Sequence, residues 1–146
     1  MIRTDDVRAR IEDQVAELAG RTRNAGEFSQ LVEGNVFPAD PQSAFVLPGP
    51  LGGGQSQAIS GAFTQALRET VIVVLVVRVA NDPTGSKGMD VLTPLIRAVI
   101  EALCGFSPPD APGCFELGAG ELVGAAQGRL IYHLEFALND QLRIFS

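Results

Sequence analysis

Val71 to Val77 is an unbroken apolar run, V-I-V-V-L-V-V, and it constrains the fold more than any other stretch of the chain. Side chains of a strand alternate between two faces, so the odd positions Val71, Val73, Leu75, Val77 and Val79 and the even positions Ile72, Val74, Val76, Arg78 and Ala80 all need cover. A membrane-spanning helix takes about 20 apolar residues. This run is far shorter and is closed by Arg78, so it reads as a strand buried on two sides, and no membrane segment is expected.

Two amphipathic helices are available to coat one face. Val7, Ile11, Val15 and Leu18 form a stripe over Thr4 to Ala19, with Asp5 and Asp6 in the first turn and Gly20 at the C-terminal end. Leu92, Leu95, Ile96, Val99, Ile100 and Leu103 form a second stripe over Asp90 to Cys104. Pro94 lies within it, so that helix either starts near Thr93 or is kinked. Little chain remains for the other face, which leaves three readings: a second subunit or the bent strand pair covers it, or the sheet curls on itself. Arg21 to Asn35 fits a short helical turn or a strand, and the spacing of Phe28, Leu31 and Val32 does not choose between them.

The remaining strands are read from alternation and punctuation. Ser43 to Leu47 is a short apolar run between prolines and reads as a strand near a sheet edge. Residues 48 to 61 hold Gly49, Gly52, Gly53, Gly54 and Gly61 and read as a mobile loop. Ala62 to Ala80 is extended throughout, yet at 3.3 Å per residue it would run about 63 Å, against roughly 38 Å for a globule of this length. A bulge or bend is therefore expected at Arg68, Glu69 and Thr70. Asn81 to Lys87 reads as a turn, and Phe115 to Leu117 and Glu121 to Val123 as short strands. Arg129 to Leu138 alternates, with Leu130, Tyr132, Leu134, Phe136 and Leu138 inward and Arg129, His133, Glu135 and Asn139 outward. The expected fold is one α+β domain, residues 1 to 146, with a mainly antiparallel sheet of four to five strands and two principal helices on one face.

Chemistry is scarce. With 46% apolar residues, a chain of 146 residues buries about two thirds of its unfolded surface and needs no staple. Eleven Lys and Arg against seventeen Asp and Glu give a formal charge of −6, which disfavours nucleic acid. Met1 to Leu18 lacks the basic, apolar and small-residue succession of a secretion signal, so Cys104 and Cys114 are expected as reduced thiols, Cys104 as a small hydrophobe ending its helix stripe. His133 is the single histidine, and beside Glu135 on the polar face of a strand it is more simply a solvated partner than a general base. The glycines from Gly49 to Gly54 match neither phosphate-loop nor dinucleotide spacing. No catalytic residue, metal or cofactor is expected.

Taken together, "PQSAFVLP" at 41 to 48, "ETVIVVLVVRVAND" from Glu69, the helix "MDVLTPLIRAVIEALCGFSPP" and the closing strand "GRLIYHLEFAL" resemble the tail terminator proteins of long-tailed bacteriophages and prophages, over about residues 3 to 140. The resemblance implies a ring subunit, a homohexamer at the neck end of the virion tail, assembled in the host cytoplasm. Such a ring stops growth of the tail tube and joins tail to head, with tail tube protein and head-tail connector protein as partners. Candidate subunit contacts are Ile72, Val74, Val76 and Arg78; candidate partner contacts are Arg68, Arg129, Gly52, Gly53 and Gly54. A head completion or connector protein is the alternative. A small hydrolase using His133, or an oligomeric ligand-binding domain, is a more distant one.

Overall fold

The computed structural model describes residues 2–34, 36–79 and 86–145. Helix α1 covers Thr4–Gln14, then a 3-10 turn at Ala16–Leu18 leads to a two-residue strand β1, Thr22–Arg23. Helix α2, Ala25–Gly34, follows, and then two long strands, β2 at Gln42–Ile59 and β3 at Ala62–Arg78. Helix α3 spans Ser86–Leu103, and β4, Glu116–Ala126, and β5, Arg129–Phe145, complete the chain. The strand order is β1-β2-β3-β5-β4. β1 runs parallel to β2 and every other pairing is antiparallel, so the α+β fold carries a mixed five-stranded sheet.

The doubly apolar strand sits at the centre. Its odd face, Val71, Val73, Leu75 and Val77, is closed by Val7 and Ile11 of α1 and Leu92, Leu95, Val99 and Leu103 of α3. Its even face is closed by the segment that the sequence left ambiguous. Phe28 and Leu31 of α2, with Phe37, pack on Val74, Val76 and Phe45, and the Phe28 and Phe45 rings meet edge to face at 5.3 Å. Among the described residues there are thus three α-helices where two principal ones were expected, with α1 and α3 on one face and α2 on the other. Val74 and Val76 are buried at 0% and 3% exposure within the single chain. For these two residues the cover expected from a second subunit, the bent strand pair or a curled sheet comes from α2.

Two expectations about the long strands are corrected. Residues 48 to 59 are not a loop; they continue β2, paired with β3 to a two-residue turn in which Ser60 and Gly61 both have positive φ, at 39° and 83°. Two positive φ values at a two-residue connection match the twist of the flanking strands, which is why this hairpin closes tightly. Nor does β3 bulge or break at Arg68 to Thr70, since its pairing with β5 runs in unbroken register from Ala62 opposite Phe145 to Arg78 opposite Arg129. The irregularities lie on the neighbour β2, between Pro48 and Leu51 and between Gly53 and Ser56. The length argument failed because the strands are not confined to the globule.

Pro48 and Pro50 fit within β2 for a simple reason. The Ala44 amide donates outward to the Arg21 carbonyl on the β1 side, and Pro48 shares that parity, so its missing N–H faces the open edge, while Pro50 lies in the irregularity between Pro48 and Leu51, where the ladder is interrupted. The two short strands expected around Gly118 and Gly120 form one strand, β4, with shifts of register at Leu117/Ala119 and Leu122/Gly124. Pro94 lies inside α3, which starts earlier than expected. Of the turn expected at Asn81 to Lys87, residues 81–85 lie outside the described residues, as does Ala80. Cys104 and Cys114 are both free thiols and both exposed, so Cys104 is not a core hydrophobe. Among the described residues no helix is long and apolar enough to cross a membrane.

Candidate assembly surfaces

His133, on β5, lies opposite Val74 on one side and Glu121 of β4 on the other. His133 and Glu121, with Ile72, Ala119, Gly120 and Glu135, line a shallow depression on the half of the sheet that α2 leaves open. Among the described residues no group of three or more His, Cys, Asp or Glu side chains is placed to hold a metal ion. The depression offers a histidine and two carboxylates without a nucleophile or an oxyanion-stabilising pair.

The cations singled out in the sequence are engaged within the chain. Arg68 Nη1 donates to Glu116 Oε1 at 3.1 Å and to Asn139 Oδ1 at 3.3 Å, joining β3 to the start of β4 and to β5. Arg78 Nη2 donates to the Ala39 carbonyl and Arg129 Nη2 to the Pro38 carbonyl, each at 3.0 Å, while the Arg129 guanidinium stacks 5.1 Å from the Phe37 ring centre. These two neighbours, paired at the end of β3 and β5, pin the 36–41 segment over the sheet beside α2. Ile72 is half-buried at the margin of that cover, where the sheet opens into the depression.

Gly52, Gly53 and Gly54 lie on the exposed part of β2 against Arg68, Leu67 and Ala66. Beyond Pro50 the sheet becomes a three-stranded arm, made of residues 51–59 of β2, 62–68 of β3 and 139–145 of β5. Every residue from Leu51 to Ile59 is exposed, and nine strand residues carry the edge about 30 Å. Leu51, Ile59, Ile144 and Phe145 present large apolar side chains to solvent.

The junction between arm and core holds a cluster that sequence reasoning missed. Arg3 Nη1 donates to Glu69 Oε2 at 2.5 Å and Nη2 to Asp140 Oδ2 at 2.9 Å, and the Arg3 backbone amide also donates to Glu69 Oε1. Burial works against the Arg3 charge, but the hydrogen bonds to Asp140 and Glu69 outweigh it and raise its pKa. Burial likewise works against the Asp140 carboxylate, yet the Gln141 amide and Arg3 hold its pKa below the usual value. The available signal was Glu69 itself, a carboxylate at an inward position of an otherwise apolar strand, which needs a cation wherever the chain can supply one.

The sheet thus presents open edges and an uncovered arm. No curated protein matches the chain in sequence. Among solved structures, the chain is similar to one from the "Virion of native gene transfer agent (GTA) particle", with a TM-score of 0.55 and 12% identity, covering 93% of this chain and 92% of that one. At that identity the likeness speaks for the fold. The model of the family described as phage tail terminator protein matches residues 1–144, and the chain belongs to that family.

Proposed function

We propose that the chain is the subunit of a hexameric ring that seats on the end of a phage tail tube, stops its polymerisation and offers the surface on which the head is joined. The family match over residues 1–144 carries this reading, and the uncovered arm supports it, because such an arm is left exposed only where another protein will cover it. Charge gives the partners their character. Six copies at −6 each carry −36, so the ring repels a DNA backbone and contacts protein, with the tube on one side and the head-tail connector on the other. The work is mechanical, a matter of fit and termination, with no bond made or broken.

Tube polymerisation tests it. Purified tube subunits polymerised with the chain should give short tubes capped at one end, seen by electron microscopy, and overlong tubes without it. Tubes of equal length in both cases would overturn the reading, and particles with normal tails but unfilled necks in its absence would favour a head connector.

A further inference from the structure

The sheet ends in two open edges that differ in chemistry. On one side β1 covers β2 only at Ala44 and Phe45, so among the described residues β2 has no strand on its outer side from Gly49 to Ile59. On the other side β4, Glu116–Ala126, is the last strand, and all but one of its residues are exposed, Leu117, Leu122 and Val123 among them. Natural proteins blunt such edges with charges, prolines or bulges, and β2 carries Pro50 and two irregularities but no charge. Here no charged residue occurs between Asp40 and Arg68, although the whole chain is at −6.

We propose that the outer edge of β2, residues 49–59, pairs with the outer edge of β4 on a second copy of this chain, so that subunits join head to tail through one continued sheet. The occupant follows from charge and length. A copy of an acidic chain is repelled by most of its own surface, and the uncharged stretch is where it can approach without that cost. β4 carries Glu116 and Glu121; in a centred β4-to-β4 contact Glu121 would oppose its own equivalent, whereas along β2 it meets only Gly, Gln, Ser and apolar residues. Both edges span eleven residues. Joining two unlike edges is a heterologous contact, the kind that closes into a ring, whereas pairing β2 with itself would stop at a two-fold dimer. The new sheet hydrogen bonds would also order an arm that is bare on both sides.

The inference rests on the ring reading and names the surfaces that close it. Gln55, next to the middle of the β2 edge, and Glu121, at the middle of the β4 edge, oppose each other in a register that keeps nearly the full length of both edges paired whichever way the strands run. In a Cys104→Ser, Cys114→Ser background, Gln55→Cys with Glu121→Cys should give a ladder of thiol-cross-linked species up to the hexamer when the protein is assembled on tube ends, and neither single variant should. Gln57→Cys paired with Ala119→Cys or with Val123→Cys then reports antiparallel or parallel strands. These positions are exposed, and circular dichroism checks that each variant folds. Hexamers without any cross-link would overturn the edge pairing while leaving the ring intact. Dimers from Gln55→Cys alone would overturn it in favour of arm-to-arm contact, and a monomer on tube ends would overturn both readings.

Discussion

Arg3 and Glu69 face each other at 2.5 Å where the sheet leaves the core, with side chains only 9% and 3% exposed, and Asp140 closes the group from β5. The pair binds the start of the chain to the waist of its central strand. Arg3→Met leaves the Glu69 and Asp140 carboxylates without their shared cation, and breaking a buried pair in this way costs about 3 kcal/mol or more. Arg97→Ala, which breaks the solvent-exposed Arg97–Glu101 pair of α3, should cost no more than about 0.5 kcal/mol. Urea unfolding of both variants measures the contrast.

Acid should act through Asp140. Its folded-state pKa is depressed, so its stabilising contribution is complete above the unfolded carboxylate value of about 3.9 and is lost as pH falls through the lower folded value. Urea midpoints should therefore hold steady on this account down to about pH 5 and then fall. In Asp140→Asn the midpoint should start lower and lose part of that acid slope.

α2 is the cover for Val74, so a charge there is a folding defect. Val74→Asp and Val73→Asp should both unfold the subunit, since each residue is fully buried, one on each side of β3. Phe28→Ala should leave a folded chain that is less stable by about 3 kcal/mol, having lost the ring packed on Phe45. Thermal unfolding distinguishes the outcomes; a stable Val74→Asp monomer would contradict the placement of α2.

The glycines of β2 should divide by neighbour. A Cβ at Gly49 would lie 2.8 Å from Thr70 Cγ2 and 3.1 Å from the Thr70 carbonyl oxygen, neither of which can swing away, so Gly49→Ala should cost about 1 to 3 kcal/mol. At Gly52 the nearest atom is 3.9 Å away, and Gly52→Ala should be neutral or slightly stabilising through lost unfolded-state freedom. Melting temperatures of the two variants make the comparison.

Periodicity made the two core helices, the central strand and the inner half of β5 legible, because Val7, Ile11, Leu92, Leu103 and the alternating Leu130, Leu134 and Phe136 all answer to one buried face. The arm was hidden by a local rule. Glycines and prolines argue for a loop when judged alone, but a strand can be imposed on them by pairing, and β3 imposes it on residues 48 to 59. Ser60-Gly61 between Ile59 and Ala62 was the readable sign, and Gln127-Gly128 before Arg129 is the same device, also with two positive φ values. The ion cluster was out of reach for another reason, since Arg3 and Asp140 are joined only by the third dimension. Of the candidate contacts, Arg68, Arg78 and Arg129 were judged by their charge, while their bonds to backbone and side chains of the same chain depend on where the 36–41 segment comes to rest.

The position of β5 has a consequence for how the molecule comes into being. The central strand β3 is flanked by the last strand of the chain over its whole length, and the clamp at Arg3 awaits a residue, Asp140, near the other terminus. A nascent chain therefore lacks one complete side of its sheet until β5 has been made, and contacts so distant along the chain form slowly. The edge of β4 can appear only once β5 is there to hold it. Partly made chains thus lack the β4 edge, and any contact that uses it has to wait for β5.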